Sequence, residues 1–469
     1  MHFPIYEGLK QYRAKNRISF HMPGHKGKGD AALSDLFELD ITELPDTDDL
    51  HSPEGYIAQS EQLLSSLYGT AHSFYLMGGS TCGIFAMLSS TLKYGDTAII
   101  DRGCHKSVIH ALGLLGINPV YVMPDCSHQF DFPGGISPEK LSEAIEKHPH
   151  AKAVLITSPN YYGVLSDIQA IADITHRADM VLLVDEAHGA HLPFSGDLPQ
   201  SAIGCGADLV VQSAHKTLGA LSGCALLHVV SNRVNAKIVR KNLAIFQTSS
   251  PCYGVLAALE RAVFSAQKFT KDYKGIIKQI TKSRAEVNAT AKAYWVGAEL
   301  TGGRSIFAFD PTRIVINFSK IPLSGYDVAR ILREKYKIEV EMADRQNIVC
   351  IATPYNDKAD IKHLEKAVCA IVKQIAPAPD FRERRYEPLP IKEMVPLHTA
   401  YHAEAEKIHM EDAQGRAAKH LICKYPPGVP LLCPGEEITP AHIREIISIL
   451  DDGGTVSGIE PEYQIEVIV

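Results

Sequence analysis

The stretch DLVVQSAHKTLGALSG, residues 208–223, decides how this chain is read. An apolar run, Leu209 to Val211, leads into Ser213-Ala214-His215-Lys216, and small residues and glycines follow. A short non-alternating apolar run reads as a strand covered on both faces, as in a parallel α/β sheet. Ligands of open α/β sheets gather outside the carboxyl ends of the strands. A lysine at that place, among neighbours of little bulk, has room for a flat ring beside it. Partial burial would lower its pKa and make its amine a nucleophile toward a carbonyl. Taken alone, the same lysine could cap a helix or face solvent.

Similar runs surround it. They are TAII (97–100), VYVM (120–123), AVLIT (153–157), MVLLV (180–184) and ALLHVV (225–230). Most of the gaps are long enough for a crossover helix, so the fold class is α/β with a largely parallel sheet. Ile57, Leu63, Leu64 and Leu67 recur at helical spacing before Gly69, and a second amphipathic helix follows Gly78-Gly79. Further on, RIVINF (313–318), a helix near 325–336 and strands at 338–342 and 348–352 make a smaller α/β unit. APAPD (376–380) and the prolines at 388, 390 and 396 read as a linker. The expected organisation is an N-terminal arm over 1–35, a large domain over 36–290, a small α/β domain over 291–376, a linker over 377–397 and a C-terminal domain over 398–469.

Composition bounds the function. The 469 residues exceed one ordinary core. The net charge of −7, with no basic run, argues against nucleic acid and mildly favours cationic ligands. No apolar run is long enough to span a membrane, and the N-terminus lacks a secretory h-region. None of the ten cysteines forms a CxxC pair, so no metal site is expected; they read as reduced thiols of a cytoplasmic protein.

Three other stretches decide what the lysine is for. LLVDEAHGAH (182–191) puts Asp185 at a strand end, one βαβ step before Lys216. A buried carboxylate there suits a heterocyclic nitrogen that must stay protonated. MGGSTCG (77–83) is a glycine turn entering a helix, where backbone N–H groups and the Ser80 and Thr81 hydroxyls would meet a phosphate. DRGCHKS (101–107) follows another strand end and offers His105 as a stacking imidazole. Each has a plain alternative: a loop aspartate, a capped helix, a core histidine. Jointly they describe a pyridoxal phosphate (PLP) site.

With these motifs in place, the sequence resembles the Orn/Lys/Arg decarboxylase family, PLP enzymes of the aspartate-aminotransferase-like fold type I. It is most similar to the short bacterial arginine decarboxylases, which lack an N-terminal wing domain. FHMPGHKGKG (20–29), DDLHSPEG (48–55), CHKS, VDEAHGAH, SAHKTLGALSG and YPPGVPLLCPGE (425–436) carry the resemblance in order along nearly the whole chain. It implies that Lys216 carries PLP as a Schiff base, that Asp185 pairs with the ring nitrogen and that His105 stacks on the ring. It implies that Ser80 and Thr81 bind phosphate, with Ser213 and His215 beside them, and that Ala187 lies under the other ring face, followed by His188. Ser249 and Ser250 correspond to a segment reaching the partner subunit's phosphate, so a homodimer is the expected minimum. Glu436 matches a carboxylate that would meet the substrate's distal cation. One position departs from the family pattern: Gly79 stands where a threonine is common.

The expected reaction is α-decarboxylation of a basic amino acid: arginine first, or lysine or ornithine, to agmatine, cadaverine or putrescine in polyamine-related metabolism. His215 or Lys216 would protonate Cα. Asp48 and Asp49, in ELPDTDDLH, join Glu436 as candidate contacts for the distal cation. Two other readings stay open: an aminotransferase, kept alive by Arg345, and a non-catalytic regulator of the same fold that binds polyamine or a partner protein.

Overall fold

The computed structural model spans residues 1–469 and describes all of them except 30, 128–129, 303–305, 377–387 and 427. Two units emerge, one formed by residues 1–91 and 181–271, the other by 92–180 and 272–469.

In the first unit, four strands lie in the order His72–Leu76, Ala225–Val229, Leu209–Gln212, Val181–Asp185. The first two pairings are antiparallel and the last is parallel. Every residue of Leu209–Gln212 and Ala225–Val229 is buried, which is why these runs do not alternate. The helix Gly79–Thr91 packs closely on this sheet. A Cβ at Gly83 would lie 2.7 Å from both Leu76 and Val211 side-chain atoms, so glycine permits the approach. The N-terminal helix Pro4–Ala14 is fixed by Glu260, whose carboxylate accepts from the N–H groups of Ile5 and Tyr6 and from the Ser60 hydroxyl.

In the second unit, Ala153–Thr157, Thr97–Asp101 and Asn118–Val122 run parallel in that order. The helices Lys106–Leu115 and Pro138–Lys147 fill two of the gaps in the chain. A separate four-stranded antiparallel sheet holds Tyr294–Trp295, Arg313–Asn317, Asn347–Ile351 and Met342–Ala343. The helix ends at Tyr336 as expected, with Lys337 in the left-handed region, but of the strand expected over 338–342 only Met342 remains, within Met342–Ala343. The core of this sheet takes Ile276, Ile280 and Val287 from the helix Thr270–Asn288, so the small-domain core begins before residue 291.

The C-terminal part has its own core around Met410, Ile422, Leu432, Ile446 and Val467. It combines a strand pair, Ala405–His409 with Gln464–Ile468, and a three-stranded sheet with the helix Pro440–Asp451. Residues 377–387 of the expected linker, like Pro427 of the YPPGVP motif, lie outside the described residues. The rest of the linker is docked: Met394 N–H donates to Gly435 O and Glu437 N–H to Lys392 O.

Candidate active site

The strand Leu209–Gln212 ends at Ser213, and one helical turn, Ala214–Thr217, presents Lys216. Lys216 Nζ lies 3.1 Å from His188 Nε2. His215 is held by Cys224, whose carbonyl accepts from its backbone N–H at 3.2 Å and from Nδ1 at 2.8 Å. That contact protonates Nδ1 and leaves Nε2 as the basic nitrogen.

The parallel neighbour, Val181–Asp185, ends in a buried carboxylate. Asp185 Oδ1 accepts the Ala187 N–H at 3.0 Å. Burial pushes its pKa up, while the positive charge of Lys216 and the Ala187 N–H pull it down. Asp185, Ala187, His188 and Lys216 therefore share one end of one strand pair. Glu186 points the other way and is clasped by the Ser201 hydroxyl, the Ala202 N–H and the Gln212 amide.

Ser213 Oγ and Thr217 Oγ1, on either side of the lysine turn, are buried and have no hydrogen-bond partner among the described residues. Leaving a buried hydroxyl unpaired costs about 1–3 kcal/mol. Two such groups flanking Lys216 are what a ligand rich in acceptor oxygens would repay. Thr217 was not singled out from the sequence, although a hydroxyl directly behind the lysine was visible there.

The glycine turn lies in the same unit. Gly79 begins its helix with φ of 69° and donates to Gly223 O at 2.7 Å; Gly223 has φ of 83°. Both lie in the left-handed region that favours glycine, so a side chain at either would be strained. Ser80 is half-buried and Thr81 exposed at the helix start. Met77 N–H donates to Gln247 Oε1 at 2.8 Å, tying this turn to the segment that carries Ser249 and Ser250, both exposed.

His105 belongs to the second unit. It caps the helix Lys106–Leu115, with Nδ1 accepting from the Ser107 N–H and lying 2.8 Å from the Ser107 hydroxyl.

The candidates for the substrate end already have partners within the chain. Asp48 is spent on its own chain: its carboxylate accepts from the N–H groups of Glu54, Gly55 and Ile57, so it fixes the entry to the helix Tyr56–Tyr68. Glu436 is buried against Arg102 at 3.1 Å, and Cys433 N–H donates to the same carboxylate oxygen at 2.7 Å. Only Oε2 of Glu436 is engaged in this way; its Oε1 is buried and has no hydrogen-bond partner among the described residues. Asp49 also caps its own loop, through Oδ1 and His51 N–H. Arg345, which kept the aminotransferase reading open, is engaged with Asp452 and Ser448.

The sequence model of the Orn/Lys/Arg decarboxylase major domain matches residues 3–360, and that of the family's C-terminal domain matches 380–456. The chain belongs to the Orn/Lys/Arg decarboxylase family. An arginine decarboxylase of Bacillus subtilis is 33% identical over 97% of this chain and 95% of its own length. The Francisella novicida lysine decarboxylase structure superimposes with a TM-score of 0.84 at 18% identity, covering 100% of this chain and 81% of that one. An alanine–glyoxylate aminotransferase from Nostoc shares the fold more distantly, with a TM-score of 0.54 at 16% identity over 67% of this chain and 86% of its own. The fold is thus the α/β architecture of fold type I, and family membership makes the protein a PLP-dependent decarboxylase of basic amino acids.

Among the described residues, no helix is long and apolar enough to cross a membrane. None of their His, Cys, Asp and Glu side chains cluster as a metal site.

Proposed function

We propose that this chain holds PLP at Lys216 and catalyses α-decarboxylation of arginine to agmatine, with lysine and ornithine as poorer substrates. The observation that carries the reading is the strand end where Lys216, flanked by two orphaned buried hydroxyls, sits beside the buried carboxylate of Asp185. The choice of arginine rests on the Bacillus subtilis relative.

When bound, PLP supplies an electron sink for the pair released as the bond from Cα to the carboxylate breaks. The chain's residues do the rest. Lys216 binds the aldehyde end. Asp185 accepts a hydrogen bond from the pyridine nitrogen and keeps its proton in place. Ala187 would bound one ring face. Ser80, Thr81, Ser213 and Thr217 take the phosphate, with Gly79 and Gly223 leaving room for it. His215, whose Nε2 is the free basic nitrogen, or Lys216 returns a proton to Cα; His188 beside Lys216 holds or relays that proton.

A homodimer with shared sites fits the surface. Ser249 and Ser250 are exposed, and so are Leu221 and Ile245 in the same unit. His51 Nε2 lies 2.8 Å from Thr248 O, tying the Asp49 loop to that serine segment. Asp49 is therefore our candidate anion for the distal cation in the partner subunit's site. A cytoplasmic setting and a role in polyamine-related metabolism are part of this proposal.

Amine-product assays across arginine, lysine, ornithine and monobasic amino acids, with no keto acid added, test the reading. CO2 and agmatine from arginine are expected. Turnover only with a keto acid would establish the aminotransferase instead, and a colourless protein that takes up no PLP would leave a regulator.

A further inference from the structure

We infer that Arg102 and Glu436 form a buried latch that seats the C-terminal segment 428–436 on the His105 loop, making both of them positioning residues. The inference rests on the decarboxylase reading above and assigns the C-terminal domain a task within it.

Arg102 directly follows the strand Thr97–Asp101 and stands just ahead of His105. Its guanidinium donates to Pro430 O at 2.9 Å, to Leu431 O at 3.4 Å and to Glu436 Oε2 at 3.1 Å. Both side chains are only 5% exposed. One planar fork thus grips the backbone and the carboxylate of the same segment, a geometry lysine cannot reproduce.

Glu436 also shapes the segment from inside. Its Oε2 accepts the Cys433 N–H, and its own N–H donates to Cys433 O at 3.1 Å. Pro434 and Gly435 occupy the corners of that turn, and Gly435 has φ of 87°, the pattern of a type II turn. The other end of the segment touches the His105 loop. Gly428 O accepts the N–H of Lys106, the residue after His105, at 3.0 Å. A side chain at Gly428 would meet His105 Nε2 at 3.5 Å and Cδ2 at 3.6 Å. The imidazole edge and the start of its helix are therefore both bounded by the segment that Arg102 holds.

The arrangement also argues against Glu436 as the substrate's counter-ion. An arginine substrate would meet the charge of Arg102 together with that of Glu436, and the two cancel.

The test compares Glu436→Gln and the milder Arg102→Lys with wild type. Three readouts are taken: hydrogen exchange of amides 429–436 in cofactor-free protein, visible circular dichroism of the PLP-loaded enzyme, and kcat and KM for arginine. Exchange in the segment should rise about tenfold or more in Glu436→Gln. The dichroic band should change, because it reports how the ring is held. kcat should fall about tenfold while KM stays within about threefold, with Glu436→Asp recovering part of the loss. Unchanged exchange in both variants would overturn the latch. So would a KM rise larger than the kcat loss with unaltered dichroism, which would return Glu436 to the substrate. Failure of the wild type to release CO2 would sink the decarboxylase reading, while the exchange data still decide the latch.

Discussion

Lys216 Nζ and His188 Nε2 lie 3.1 Å apart, although the two residues come from different strand ends. The contact is a consequence of register. Val181–Asp185 and Leu209–Gln212 pair in parallel, with Asp185 opposite Val211, so the residues following each strand converge on one edge. Asp185 looks into that edge from inside the protein, and His188 contacts the amine. One strand pair thereby brings together the amine and the carboxylate proposed to hold the aldehyde and the ring nitrogen.

Asp185→Asn should preserve the fold and the colour of the bound cofactor while lowering kcat. A charge-assisted hydrogen bond to the pyridine nitrogen is worth about 1.5–3 kcal/mol, so a loss of roughly 10- to 100-fold is expected. Steady-state rates with arginine check it, and near wild-type turnover would remove Asp185 from the ring nitrogen.

The orphaned hydroxyls give a binding prediction. Ser213→Ala and Thr217→Val each remove a buried donor that the folded chain leaves unpaired. Each should weaken PLP about tenfold, corresponding to about 1.4 kcal/mol, without lowering the thermal midpoint of the cofactor-free protein. Equilibrium titration with PLP measures the first and calorimetry the second. Destabilised cofactor-free variants would mean that the hydroxyls serve the fold.

Asp48→Ala separates a capping role from a substrate role. The carboxylate serves several backbone N–H groups at the entry to one helix, so the loss should be about 2 kcal/mol of stability. KM for arginine should hardly move. Denaturant unfolding and steady-state kinetics on the same variant decide between the roles.

His228 gives a pH dependence with a definite sign. Its ring is buried between Ser73 and Gln212, and burial pushes its pKa from 6.5 down to about 3. The Gln212 amide donates to Glu186, so its oxygen accepts the His228 Nε2–H and the ring is neutral. Below pH 6.5 the unfolded chain takes up a proton that the native state refuses. Stability from this group is therefore lost as pH falls toward 3, by up to about 1.4 kcal/mol per pH unit. Glu186, pushed from 4.5 up to about 7 chiefly by burial, acts with the opposite sign: its contribution is lost as pH rises through that range. Comparing thermal midpoints of wild type and His228→Gln at pH 7 and pH 5 isolates the histidine. The variant should lose less stability on acidification, and equal losses would show that the ring is not held neutral.

Much of this was legible in the sequence because local patterns carry it. LVVQSAHK is a buried strand emptying into a helical turn, and the structure builds both where the apolar run stops. MGGSTCG announced its glycine turn, and Gly79 has the positive φ that such a turn needs. What could not be read was partnership at a distance. Nothing local distinguishes a carboxylate awaiting a substrate from one already claimed, and Glu436 is claimed by Arg102, more than three hundred residues earlier in the chain. The capping role of Asp48 was hidden for a nearer reason: acidic loops are common, and only the fold shows that this one faces the N–H groups of the next helix. The helix Thr270–Asn288 falls within the expected large domain yet packs into the core of the four-stranded sheet, because helical periodicity does not say which core a helix face will join.

Borohydride reduction of the PLP-loaded protein, followed by proteolysis and mass mapping, addresses the central claim most directly. The account predicts one reduced pyridoxyl adduct, on Lys216, and its disappearance together with the near-visible absorbance in Lys216→Ala. An adduct on another lysine, or a Lys216→Ala protein that keeps both colour and turnover, would contradict it.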